Sequence, residues 1–84
     1  MPGTVEVQLW SGLRSLTGGL DRVPVQAGTL REVLEALVIA HPGLAAPIAA
    51  GVSFAVDGRI VAGDLTTKVT PDTELVLMQR LRGG

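Results

Sequence analysis

The residues whose types suggest chemistry in this chain stand at its end, Arg80-Leu81-Arg82-Gly83-Gly84. A glycine pair removes both side chains beside the terminal carboxylate, so the chain can enter a slot too narrow for any residue with a Cβ. Four extended residues reach about 14 Å, enough to carry that carboxylate into a partner's active site while a folded body stays outside. An activated C-terminal glycine is achiral and unhindered, so a nucleophile approaches without racemisation or clash. The expected reacting group is therefore the main-chain carboxylate of Gly84, with Arg80, Leu81, Arg82 and Gly83 as the inserting segment. With 11 glycines in 84 residues, a terminal pair arises by chance at (11/84)², roughly 2%, and average glycine usage makes it rarer still.

No internal site competes with that end. His41 is the single histidine; at a helix end it reads as a cation favoured near the C-terminus, and no nucleophile accompanies it. The eight carboxylates are scattered singly, without the spacing of a metal loop or of a paired acid and base. Leu16-Thr17-Gly18-Gly19 is glycine-rich but lacks the patterns that cradle phosphate, and it reads as a turn. The chain has no cysteine, which excludes disulfides, thiolate catalysis, thiolate zinc sites and iron–sulfur clusters. No side-chain catalyst, no metal and no bound cofactor is expected.

Eighty-four residues suffice for one small domain. A net charge of −1 argues against non-specific binding to nucleic acid or anionic lipid, which needs basic excess. The start lacks the cationic and apolar stretches of a signal peptide. Every apolar run is interrupted well short of the roughly 20 residues that span a bilayer. A soluble, cytoplasmic protein is expected. Trp10 and Phe54 are the only aromatics, so Leu, Val, Ile and Ala must fill the interior.

The elements that would position the end follow from periodicity. Thr4 to Trp10 alternates as a half-buried strand, with Val5, Val7 and Leu9 on one side and Glu6, Gln8 and Trp10 on the other. Ser11 to Gly19 reads as a connection. Asp21 to Ala27 is a second extended stretch, where Pro24 suggests an edge. Thr29 and Glu32 form a capping box ahead of a helix whose stripe is Leu30, Val33, Leu34, Leu37 and Val38. Arg31 and Glu35 are spaced for a weak pair. His41-Pro42-Gly43 ends that helix, and Ala45 to Ala50 suits a short second one. Val52, Phe54 and Val56 mark a third strand, Asp57-Gly58 a tight turn, and Ile60-Val61 a short partner strand. Asp64 to Val69 is irregular, Thr70 to Thr73 is a turn, and Glu74 to Arg80 is the last strand. The result is an α+β layer, a mixed sheet of about five strands on one main helix. The first and last strands are expected side by side at the centre, with residues 1–80 as the domain and 81–84 as a flexible tail.

Alternation also defines a second face. If Val5, Val7 and Leu9 face the helix, Trp10 faces away; if Leu75 and Leu77 do, then Val76, Met78 and Arg80 face away. Burying three large side chains there is worth roughly 1.5–3 kcal/mol each, against an association cost of about 4–15 kcal/mol. Such a patch binds weakly by itself, and tail insertion must contribute the remainder. The cationic Arg80 and Arg82 suit an acidic groove.

Taken in order, these residues resemble the ubiquitin-like β-grasp sulfur carriers, the group of the molybdopterin synthase small subunit (MoaD) and the thiamin carrier (ThiS). The resemblance rests on Leu9-Trp10, Gly12-Leu13-Arg14-Ser15-Leu16-Thr17-Gly18, and Thr29-Leu30 opening a helix that closes in His41-Pro42-Gly43-Leu44. It continues through Phe54-Ala55-Val56-Asp57-Gly58, Pro71-Asp72-Thr73-Glu74-Leu75 and Gly83-Gly84. The length and the Leu13-to-Gly18 and His41-to-Leu44 segments favour the MoaD branch. The resemblance implies a carrier, not an enzyme. A MoeB/ThiF-like activating enzyme, using ATP, would adenylate Gly84, and a sulfur donor would convert the adenylate to a thiocarboxylate. A sulfur-accepting synthase, such as a molybdopterin synthase large subunit, would then take the sulfur. It also implies docking through Trp10, Ile60, Met78 and Arg14. The tail departs from the family, since Arg80-Leu81-Arg82-Gly83-Gly84 matches the end of ubiquitin more than the apolar or proline-containing tail usual in MoaD. Two other readings follow: a modifier conjugated to lysines through Gly84, and a non-catalytic β-grasp binding module.

Overall fold

The computed structural model describes residues 3–61 and 64–79. Strand β1, Thr4–Leu9, buries Val5, Val7 and Leu9 and exposes Thr4 and Glu6, the period-two alternation of a one-sided sheet. It pairs antiparallel with β2, Arg22–Gln26, and parallel with β5, Leu75–Gln79. Strand β3, Val52–Val56, pairs antiparallel with β5 and with the short β4, Arg59–Val61. The order β2-β1-β5-β3-β4 places the first and last strands together at the centre, as the sequence implies. Pro24 lies on edge strand β2, where its missing N–H costs no ladder bond.

One main helix covers one face of the sheet. Helix α2, Leu30–Ala40, starts at the anticipated capping box: Thr29 Oγ1 accepts from Glu32 N–H at 3.2 Å, and Glu32 Oε1 accepts from Thr29 N–H at 2.9 Å. Leu30, Val33 and Leu37 are fully buried against Val5, Val7, Leu9, Phe54, Leu75 and Leu77, while Leu34 and Val38 are half-buried at the flank. A single turn, Pro42–Leu44, leads into α3, Ala45–Ala50. The β3–β4 hairpin turns on Asp57 (φ 49°) and Gly58 (φ 85°), the paired left-handed conformations of a two-residue hairpin. Asp57 also fixes the start of the last strand: its N–H donates to Glu74 O, and its Oδ1 accepts from Glu74 N–H, both at 2.8 Å.

Two expectations need correction. The segment after β1 is not a plain connection but a helical turn, α1, Ser11–Arg14, followed by a tighter turn, Ser15–Thr17. Leu13 drives this: it is fully buried, and its N–H donates to Trp10 O at 2.8 Å. Thr17 closes the unit, its hydroxyl 2.9 and 3.0 Å from the carbonyls of Arg14 and Leu20. The Arg31–Glu35 pair is not formed. Among the described residues the ion pair is Arg22–Glu6, at 3.6 Å and exposed, an arrangement worth about 0–1 kcal/mol. An arginine preceding a glutamate by four residues is the weaker orientation of such helix pairs.

Candidate functional site

The site is built around the end of β5. β5 carries Leu75 and Leu77 into the core, which leaves Val76 and Met78 on the open face. Strand pairing lines up one row across that face: Arg22, Gln8, Val76, Ala55 and Ile60. The row is polar at the β2 edge and apolar from the centre to the β4 edge. Ile60 is 65% exposed. Trp10, one residue past the Leu9–Leu77 pair, is held by its N–H to Leu77 O at 3.2 Å and is 43% exposed. Met78 is only 8% exposed. It pairs with Ser53 and offers little surface in the free chain.

Arg14, one helical turn past Trp10, is exposed and donates from Nε to Leu9 O at 3.1 Å, which ties its guanidinium stem to the end of β1. Gly12 lies against the end of β5, since a Cβ there would stand 2.9 Å from Gln79 Oε1. Trp10, Gly12, Arg14 and Gln79 therefore gather at one end of the sheet, while Ile60 lies on the β4 edge in the row with Ala55 and Val76. Arg80, Leu81, Arg82, Gly83 and Gly84 lie outside the described residues. Sequence reasoning did not single out Ala55 as part of the apolar floor, although its alternation with Phe54 was the available signal. The Gly12–Gln79 approach had no sequence signal.

The shifted carboxyls lie elsewhere. Hydrogen bonds from the Thr29 backbone and hydroxyl hold Glu32 below the ordinary carboxylate range, and the Thr66 hydroxyl and backbone do the same for Asp64. Both serve local turns. Among the described residues no three His, Cys, Asp or Glu gather as metal ligands, and no helix is long and apolar enough to cross a membrane. The arrangement leaves a partly apolar, uncovered sheet face beside the end of β5 at Gln79.

A five-stranded mixed sheet with the first and last strands parallel at its centre and one crossing helix is the ubiquitin-like β-grasp. The chain belongs to the ThiS family, whose model matches residues 7–84. Members of this group are small ubiquitin-like carriers and modifiers. The chain is similar in structure to small archaeal modifier protein 1 from Methanosarcina acetivorans, with a TM-score of 0.81 and 19% identity over 100% of this chain and 99% of that one. Small archaeal modifier protein 1 from Haloferax volcanii gives a TM-score of 0.74 at 26% identity, covering 98% and 100%. A chain of the Amycolatopsis orientalis BexX/CysO complex gives 0.76 at 23%, covering 95% and 99%. No curated protein matches the sequence.

Proposed function

We propose that this chain is a sulfur carrier whose C-terminal Gly84 is adenylated by a MoeB/ThiF-like activating enzyme at the expense of ATP and converted to a thiocarboxylate. The sulfur then passes to a synthase that builds a cofactor, with a molybdopterin synthase large subunit as the leading acceptor. The observation that carries this reading is the placement of β5. It is held on both sides by β1 and β3, so it forms a rigid base for the five residues that follow Gln79. The family match, which runs to residue 84, supports it. In this reading Trp10, Ile60 and Arg14 dock on the partner, Met78 supports the patch from beneath, and Gly83 and Gly84 pass through a slot that excludes side chains.

Co-expression with a matching activating enzyme and a sulfur source is expected to shift the intact mass by one oxygen-to-sulfur exchange. Deleting Gly83 and Gly84 is expected to abolish the shift. Unchanged mass with an enzyme that thiocarboxylates its own carrier refutes the proposal.

A second reading, a modifier joined to lysines by an isopeptide bond, starts from the same adenylate. It is favoured by the Haloferax volcanii relative, which is named as a modifier protein, and by the paired arginines ahead of the glycines. Covalent ladders that disappear on deletion of Gly84 are its expected signature.

A further inference from the structure

We propose that Lys68 is the acceptor amine for the activated C-terminal glycine of a second copy of this chain, so that any homopolymer is joined through one type of link. The inference rests on the modifier reading. Lys68 is the single lysine of the sequence, and it is exposed. Its backbone is fixed on both sides: Thr67 O accepts from Leu30 N–H at 2.9 Å, and Val69 N–H donates to Gly28 O at 2.8 Å, around the Thr29–Lys68 bridge. The side chain therefore projects from a rigid platform.

An open depression of about 320 Å³ lies beside it, lined among others by Gly28, Thr29, Glu32, Thr70 and Pro71. Glu32 is the charged residue sharing that depression with Lys68, and its carboxyl is held ionised by the Thr29 hydrogen bonds and the nearby Lys68 charge. An approaching segment that carries Arg80 and Arg82 meets an anion there. Glu32 thus gives an arginine of a second copy's tail one anion to meet beside the acceptor amine, and the tail is the segment of this chain that ends in the group the amine attacks.

Geometry makes the link intermolecular. Ala27 N–H donates to Gly3 O, so the Gly28–Lys68 end of the molecule lies at the start of β1. Val7 pairs with Leu75, and about 26 Å of strand rise separates the level of Gly3 from that of Gln79. Five residues span at most about 18 Å. A lysine side chain adds about 6 Å, still short of that separation before any detour around the body. β5 also ends heading away from Lys68. Closure onto the same molecule is therefore out of reach, and a chain of copies joined end to end is not. The step is an aminolysis. The neutral Nζ of Lys68 attacks the carbonyl carbon of the Gly84 adenylate, a C–N bond forms, and the bond to AMP breaks. AMP leaves with the electron pair, and one proton goes to solvent.

The test bypasses the activating enzyme. The full chain is prepared as a Gly84 thioester by thiol cleavage of an intein fusion, then held at high concentration. Wild type is expected to give a covalent dimer in which trypsin, cutting after Arg82, leaves a Gly-Gly remnant on Lys68. Lys68→Arg, with unchanged circular dichroism and melting, is expected to lose the dimer entirely. A remnant on any other amine, a monomer lighter by one water, or no dimer while added free lysine consumes the thioester, overturns the proposal. If the thioester gives the Lys68 dimer but the activating enzyme yields only thiocarboxylate, Lys68 stands as the acceptor and the modifier reading fails by itself.

Discussion

Glu32 and Asp64 owe their lowered acidity to hydroxyl and amide donors that exist only in the folded chain. A carboxyl depressed in this way stabilises the fold at pH values above its unfolded value, and the contribution is lost as pH falls through the folded one. Glu32→Gln keeps a capping-box acceptor but discards the charge. The variant is therefore expected to be less stable than wild type at neutral pH, with the gap closing as pH falls below the ordinary value of 4.5; urea unfolding across that range measures it. Gly58 isolates a different term. Its φ is +85°, and a Cβ there meets nothing within 4 Å, so Gly58→Ala adds left-handed strain without a clash. A loss of about 1–2 kcal/mol is expected, with an unchanged denaturant slope; no loss would mean the turn can leave that conformation.

Helix α2 separates burial from hydrophobicity within one turn. Leu37 is fully buried and Ile39 is 82% exposed, so Leu37→Ala is expected to cost about 2–5 kcal/mol and Ile39→Ala less than about 0.5 kcal/mol. Equal losses would place the buried stripe elsewhere on the helix. That stripe was legible in the sequence because its cause is local: a capping box fixes the start, and apolar residues recur at the helical period. Alternation in β1 and β5 and the Asp57-Gly58 turn were legible for the same reason. The helical turn at Ser11–Arg14 was not, because it exists only once Leu13 finds its place in the core. The Glu74 clamp on Asp57 likewise depends on partners seventeen residues apart.

The sheet has two unlike faces. One face of the sheet is covered by α2, and the other carries half-buried Val76 and Ala55 and exposed Ile60. Sequence alternation put Leu75 and Leu77 on one face and Val76 and Met78 on the other, as the strand pairing has them, but could not grade exposure: Met78 and Ile60 share a face, yet only Ile60 presents most of its surface. That difference makes Ile60 the cleaner probe of docking. Its exposure means that Ile60→Ala leaves folding stability nearly unchanged, whereas burial in a complex would forfeit roughly 1–2 kcal/mol, or about 5–30-fold in Kd for the activating enzyme. Ile39→Ala, exposed on the helix side, is the matched control and is expected to leave Kd unaltered. Calorimetric titration of both variants, each with an intact tail, separates face-specific docking from general surface stickiness. A Kd weakened equally by both would mean general surface stickiness, and one weakened by Ile39→Ala alone would assign docking to the helix side; either result overturns specific docking on the open sheet face.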